Sequence, residues 1–394
     1  MDILKLRADT PACAHLIHLN NAGAALMPAP VARVIQDYLA LECRIGGYEA
    51  ADDSELQLQA AYQSVAALLG AQARNIAFTE NATSSFIRAL SAVPLAPGEI
   101  ILTTRNDYIS NQIQFLSLQQ RFGVQILRAP DLPEGGVDPT AMRALIGKHR
   151  PKIVCVTHVP TSSGLVQDAQ AIGAACRETD TLYLLDACQS VGQMPVDVRE
   201  LGCDFLSATS RKFLRGPRGA GFLYVSDRVL AAGLEPLYLD MRGADWVAAD
   251  RYQPAADAKR FENWEFAYAL LFGTAEAARY ALAVGLPAIQ QRIALLSPRL
   301  RAGLSALDGV RVLERGARLS STVTIWVDGW EPAPLVAALR QRGINTSAQF
   351  RNYAVFDFDE KGVAGAVRLS PHYYNTEDEI DRTIAAVAEL ARKR

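Results

Sequence analysis

The chain has 394 residues, half of them hydrophobic and 21% charged, which excludes a disordered, collagen-like or disulfide-scaffold protein and predicts two or three domains. Its 40 basic and 42 acidic residues give a net charge of -2, with no overall footprint for nucleic acid or an anionic membrane. No apolar run approaches the roughly 18 residues of a spanning helix, and the first residues lack the apolar stretch of a signal peptide, so neither a membrane partner nor a nucleic-acid partner is expected.

In chain order, residues 1–20 are too short for a domain and are expected to pack on the C-terminal one. From about residue 74, short apolar and β-branched runs alternate with helix-like stretches. The runs fall at 76–79, 99–104, 124–128, 153–158, 182–186, 205–208 and 222–225, and the helices at 84–93, 108–121, 139–149 and 167–177. Continuous apolar runs separated by helices predict strands covered on both faces, hence an α/β fold with a mainly parallel seven-stranded sheet and right-handed crossovers. Beyond residue 255 the pattern changes to helices at 267–284, 289–307, 334–342 and 377–393 with strands at 310–313, 322–327 and 366–370. The expected division is a large domain over 21–260 and a smaller α+β domain over 261–394, closely docked because no linker-like stretch separates them.

The six cysteines form no CxxC pair, and four of them show no metal-like spacing to the five histidines. They read as reduced core thiols of a cytoplasmic protein, and no metal site is expected.

In sheets of this kind ligands bind beyond the carboxyl ends of the strands, so polar residues directly after apolar runs are the candidates. Asp186 ends the run Leu182–Leu185; an acid there needs a cationic partner, or it is a helix cap or a buried ion pair. Gln189 follows and reaches the same space, unless it faces solvent. The chain has only seven lysines, and Lys212 alone lies at a sheet end in an apolar context, between Arg211 and Arg215. Neighbouring cations and desolvation lower a lysine's pKa and make it a better nucleophile; the plain alternative is an exposed loop lysine. Asn81-Ala82-Thr83-Ser84-Ser85 opens a helix, where free N–H groups bind phosphate, although Ser and Thr caps are common there. An acid, a reactive lysine and a phosphate cradle at the strand ends of one sheet suggest pyridoxal phosphate.

These residues resemble the class V aminotransferases, fold-type I pyridoxal-phosphate enzymes that include the cysteine desulfurases. The resemblance runs over nearly the whole chain and is carried by Leu184-Leu-Asp-Ala-Cys-Gln-Ser-Val-Gly192 and by Ser207–Gly221 with Lys212. It implies that Lys212 forms the Schiff base, Asp186 pairs with the pyridine nitrogen and Gln189 bonds the phenolic oxygen. It further implies phosphate contacts from Ala82, Thr83, Thr209 and Arg211, the last standing where desulfurases have histidine. Tyr108 falls where a histidine stacks on the ring, and Thr161 replaces an asparagine close to it. In Val367-Arg368-Leu369-Ser370, Arg368 matches the arginine that clamps the substrate carboxylate with two parallel hydrogen bonds. The resemblance also implies a homodimer with sites at the interface, where Glu265 takes the place of a partner threonine. Tyr48, Trp264, Arg351, Tyr353 and His372 are candidates for the side-chain pocket.

One departure bears on the reaction. Desulfurases carry a cysteine on the loop before that arginine, and here 345–356 has none; no cysteine follows Cys203. In Gly46-Gly-Tyr-Glu-Ala50, Asp107-Tyr-Ile-Ser-Asn111 and Ser210-Arg-Lys-Phe213 the chain is more similar to the branch holding isopenicillin N epimerase and the ergothioneine-pathway C–S lyase. The expected activity is therefore β-elimination at a C–S bond of a cysteine S-conjugate or sulfoxide, with aminotransferase and epimerase as alternatives. A cofactor-binding protein without turnover is disfavoured by the presence of both Lys212 and Arg368. An NAD-dependent dehydrogenase is disfavoured because no GxGxxG follows a strand.

Overall fold

The computed structural model describes residues 1–392. Seven strands form the main sheet: β1 Ile76–Thr79, β2 Ile100–Thr103, β3 Gln125–Arg128, β4 Ile153–Thr157, β5 Leu182–Asp186, β6 Phe205–Thr209 and β7 Gly221–Val225. Their spatial order is β1-β7-β6-β5-β4-β2-β3, with every pair parallel except those made by β7, which is antiparallel to both neighbours. This is the expected mainly parallel sheet. Alternation along the strands sorts side chains into two cores. Val154, Val156, Leu185 and Leu206 enter one cluster, whereas Ile153, Cys155, Leu184 and Phe205 enter the other. Both faces are covered, which is why the runs read as continuously apolar. The edge strand β3 is only partly buried.

Helices Ala29–Ile45, Glu55–Leu69 and Tyr268–Val284 pack together on one face, and Tyr38, Tyr62 and Phe272 share the core of that face. A second, antiparallel sheet has the order Val310–Val312, Val323–Val327, Gly365–Leu369, Ser347–Phe350. Its core takes Leu296 and Leu300 from helix Leu286–Ser305 and Ile380 and Val387 from helix Glu377–Arg392. Ile17 and Leu19 belong to the same core, and Ile17 pairs with Ile344, whereas Leu6 and Cys13, earlier in the N-terminal arm, enter one of the main sheet's two cores. Beyond Leu19, Asn20 bridges to Ser370, and Ala22 O and Gly23 O accept from Gln189 and Arg211.

Arg215 ties these parts together. It is buried without an acid partner among the described residues. Its guanidinium instead donates to Leu26 O at 2.8 Å, Tyr373 OH at 2.6 Å and Thr10 Oγ1 at 2.5 Å and stacks on Tyr374. A hairpin, Ala244–Ala248 with Arg251–Pro254, projects from the body and leaves Trp246 81% exposed. Cys43 is exposed and Cys188 half-exposed, whereas the other four cysteines are buried. Among the described residues no single helix is long and apolar enough to cross a membrane.

Candidate active site

Three strand ends and two helix starts converge on a cavity of about 450 Å³ lined by Ala82, Thr83, Tyr108, Asp186, Thr209, Arg211 and Lys212, together with Asn111 and Cys188. Each reaches it for a local reason. Asn81 caps helix Ala82–Ser91 by accepting from Ser84 N. The first-turn N–H groups of Ala82 and Thr83 then have no partner among the described residues, a ready anion site. Gly221 lets β7 pass close beneath this turn: a Cβ there would meet Asn81 C at 2.7 Å and Ala82 N at 2.9 Å. The Lys212 loop closes on itself, Gly216 N bonding Ser210 O and Arg215 N bonding Lys212 O.

Lys212 is buried, and its Nζ lies 5.8 Å from the Tyr108 ring centroid. It makes no hydrogen bond or ion pair among the described residues. Burial holds its amine below the ordinary value, and the like charges of Arg211 and Arg368 add to this against the opposing influence of Cys188 and Asp186. Asp186 is fixed by Cys188 N at 3.0 Å on one oxygen and Asn111 Nδ2 at 3.2 Å on the other. Burial pushes the Cys188 thiol up, with the Asp186 carboxylate adding to the shift, so this cysteine is not a ready thiolate.

Gln189, Thr161 and Arg368 form a hydrogen-bonded group beside the cavity. Gln189 Nε2 donates to Thr161 Oγ1 at 2.6 Å and Ala22 O at 3.1 Å. Arg368 donates to Thr161 Oγ1 at 2.8 Å and to Asn20 Oδ1 at 3.3 Å. Gln189 Oε1 and Arg368 Nε are buried with no partner among the described residues. Burial, and then the nearby Arg211, lower the Arg368 guanidinium to about 10. Arg211 itself donates to Gly23 O.

The arrangement has a surplus of positive charge. Lys212, Arg211 and Arg368 face the region, and Asp186 is the one carboxylate on the cavity wall among the described residues. Desolvated cations without partners are costly, so the site fits a ligand that brings anions. Pyridoxal phosphate meets this description. Its phosphate would sit on Ala82, Thr83, Thr209 and Arg211, its ring nitrogen at Asp186, its ring against Tyr108 and its aldehyde carbon at Lys212. A substrate carboxylate would complete Arg368.

The ten sequence candidates are therefore brought together, seven on the cavity wall and three beside it. The proposed side-chain pocket is not. His372 is fully buried with Nε2 at 2.8 Å from Phe213 O, and Arg351 is paired with Asp359 on the surface. Tyr48, Trp264 and Tyr353 are exposed, as is Glu265, and none of these lines the cavity. Sequence reasoning assigned no role to Asn111, Cys188 and the arm residues Asn20, Ala22 and Gly23. Asn111 lies one helical turn from Tyr108, which was a usable signal; the arm acts mainly through backbone carbonyls, which leave none.

A family model described as aminotransferase class-V matches residues 17–383. A probable cysteine desulfurase of Methanothermobacter thermautotrophicus is 28% identical, the alignment covering 98% of this chain and 97% of the relative. A probable hercynylcysteine sulfoxide lyase of Mycobacterium tuberculosis is also 28% identical, covering 98% and 94%. Among solved structures, the apo cysteine desulfurase of Thermococcus onnurineus NA1 superposes with a TM-score of 0.92 at 25% identity, over 99% of this chain and 98% of that one. The cystine C–S lyase C-DES, in complex with cysteine persulfide, shares the fold with a TM-score of 0.86 at 23% identity, over 96% and 99%.

Proposed function

The chain belongs to the aminotransferase class-V family and is a pyridoxal-phosphate-dependent enzyme, and on that premise we propose that it cleaves the Cβ–S bond of a cysteine S-conjugate or sulfoxide by β-elimination. The observation that carries this reading is a pair of buried cations, Lys212 and Arg368, neither of them in a salt bridge among the described residues, in a chain with no cysteine after Cys203. An α-amino acid is what such a pair would hold. Without a thiol on the 345–356 loop, sulfur would leave to solvent rather than to the protein.

When bound, pyridoxal phosphate supplies an electrophilic carbon for the substrate amine and a ring that takes up the electrons of the broken Cα–H bond. The chain's residues do the rest. Arg368 would clamp the α-carboxylate, with Thr161 and Asn20 holding the guanidinium in plane. Lys212, favoured in its neutral form by burial, would take the α-proton. Asp186 would hold the proton on the ring nitrogen. The Cβ–S bond then breaks with its electron pair leaving on sulfur, and the remaining carbon fragment hydrolyses to pyruvate and ammonium.

We also propose a cytoplasmic homodimer. Leu237, Tyr238, Met241 and Trp246 are exposed close together in sequence, an apolar surface that a second copy would cover.

The test offers cysteine S-conjugates, cysteine sulfoxides and plain amino acids to the holoenzyme without added keto acid. Repeated turnover to pyruvate and ammonium supports the lyase. Racemisation without keto acid from any sulfur substrate, or a single conversion of the cofactor to its amine form that keto acid reverses, overturns it.

A further inference from the structure

Behind Asp186 lies a second carboxylate that the mechanism above does not use. Asp107 is buried at the start of helix Ile109–Phe122. One of its oxygens accepts from Tyr108 N at 2.9 Å, from Asn111 Nδ2 at 3.2 Å and from Thr157 Oγ1 at the end of β4. The other accepts from Thr103 Oγ1 at the end of β2, at 2.5 Å. The Asn111 amide nitrogen that donates to Asp107 also donates to Asp186, again at 3.2 Å. One NH₂ group thus spans the two acids and spends a hydrogen on each.

We propose that Asp107 is a positioning residue for Asp186: through Asn111 it fixes the carboxylate that meets the cofactor's ring nitrogen, and its negative charge behind that carboxylate favours a protonated nitrogen. This rests on the assignment of Asp186 to the ring nitrogen. An ordinary helix cap needs one acceptor for a backbone N–H. Asp107 accepts four hydrogen bonds, two of them from hydroxyls at the ends of neighbouring strands, and it is joined to a second acid. All four donors are neutral, and no salt bridge reaches it among the described residues. Burial pushes it up to about 6, opposed by Thr103, Thr157 and Asn111, with Asp186 adding a small rise. The nearby cation is Arg128 of β3, on which Asp107 acts electrostatically. Two like charges near one another each favour a bound cation, and the N–H⁺ of a pyridinium at Asp186 is the group placed to relieve both.

The discriminating probe is a pair of cofactors: pyridoxal phosphate, and its analogue with CH in place of the ring nitrogen. Equilibrium binding of each to the cofactor-free protein is measured for wild type, Asp107→Asn, Asn111→Ala and Asp186→Asn. We expect Asp107→Asn to weaken pyridoxal phosphate about 10-fold, the equivalent of one pKa unit at the nitrogen, and to leave the analogue within about 2-fold. Asn111→Ala should show the same selective loss, and it carries the test if Asp107→Asn does not fold. Equal losses for both cofactors would make Asp107 a mere helix cap and overturn the inference. If Asp186→Asn also failed to distinguish the two cofactors, the assignment of Asp186 would fall with it. A selective loss for Asp186→Asn alone would overturn only the role of Asp107.

Discussion

The Thr161 hydroxyl accepts a hydrogen bond from the Arg368 guanidinium at 2.8 Å. It also accepts one from Gln189 at 2.6 Å, so the residue proposed to hold the substrate and the residue proposed to hold the cofactor's oxygen meet on one oxygen atom. Both lone pairs are taken, and the hydroxyl hydrogen is free to point at a bound ligand.

Thr161→Val, which keeps the shape and removes the hydroxyl, should therefore impair both partners. Leaving a buried donor unpaired costs about 1–3 kcal/mol, so kcat/KM should fall roughly 10- to 100-fold, while Thr161→Ser should recover most of it. Steady-state kinetics of the three proteins check this; a Val variant as active as wild type would show the shared atom to be dispensable.

Arg368→Lys retains the charge and removes the planar fork. Because a lysine cannot make the two parallel bonds, we expect a loss of about 100-fold in kcat/KM, mostly through KM. A substrate analogue lacking the α-carboxylate should bind wild type and variant equally, which inhibition constants would reveal.

Lys212→Ala should abolish multiple turnover, a fall of at least about 10³-fold for a lost general base. Borohydride treatment followed by intact-mass measurement should find cofactor fixed to the wild type and not to the variant. Cofactor fixed elsewhere would move the reactive lysine to another position.

Asp107 makes a signed prediction about pH. Its carboxyl rises from an ordinary 3.8 to about 6, so between those values the folded chain binds a proton that the unfolded chain does not. Stability attributable to this residue must then increase as pH falls through about 6 and level off below about 4, by roughly 3 kcal/mol at most. The difference in unfolding free energy between the cofactor-free wild type and Asp107→Asn, measured in urea from pH 7 to pH 4, isolates it from other carboxylates. A flat difference would mean that the group ionises normally.

Gly221→Ala tests the cradle. The added Cβ would meet backbone atoms of Asn81, Ala82 and Ala208 at 2.7–2.9 Å, so the turn must move. We expect a stability loss of about 1–3 kcal/mol and weaker cofactor affinity, read by thermal unfolding with and without added pyridoxal phosphate.

The main sheet was legible because its inner strands bury both faces and so appear as unbroken apolar runs; β4 and β6 are buried throughout. Strand Ser347–Phe350 was not, since Ser-Ala-Gln-Phe is short, mixed in polarity and partly exposed. Lys212 stood out because lysines are scarce and its surroundings are apolar. Asp107 and Asn111 were noticed only within a stretch shared with one branch, because polar residues at a helix start look the same whether they face water or a second acid. The arm residues were invisible for a different reason: Ala22 and Gly23 contribute carbonyls, which every residue carries. Arg215 drew notice only as a neighbour of Lys212, while its own bonds run to Thr10, Leu26 and Tyr373.

That reach of Arg215 has a consequence for how the molecule is made. Asp186, Lys212 and the helix that starts at Ala82 emerge from the ribosome early, and with them the walls of the cofactor cavity. Tyr373, which clasps Arg215, and Arg368, which awaits the substrate, emerge long afterwards. A growing chain would therefore possess a place for the cofactor before it possesses one for an amino acid. Reactive chemistry would be withheld until Arg368 has been made.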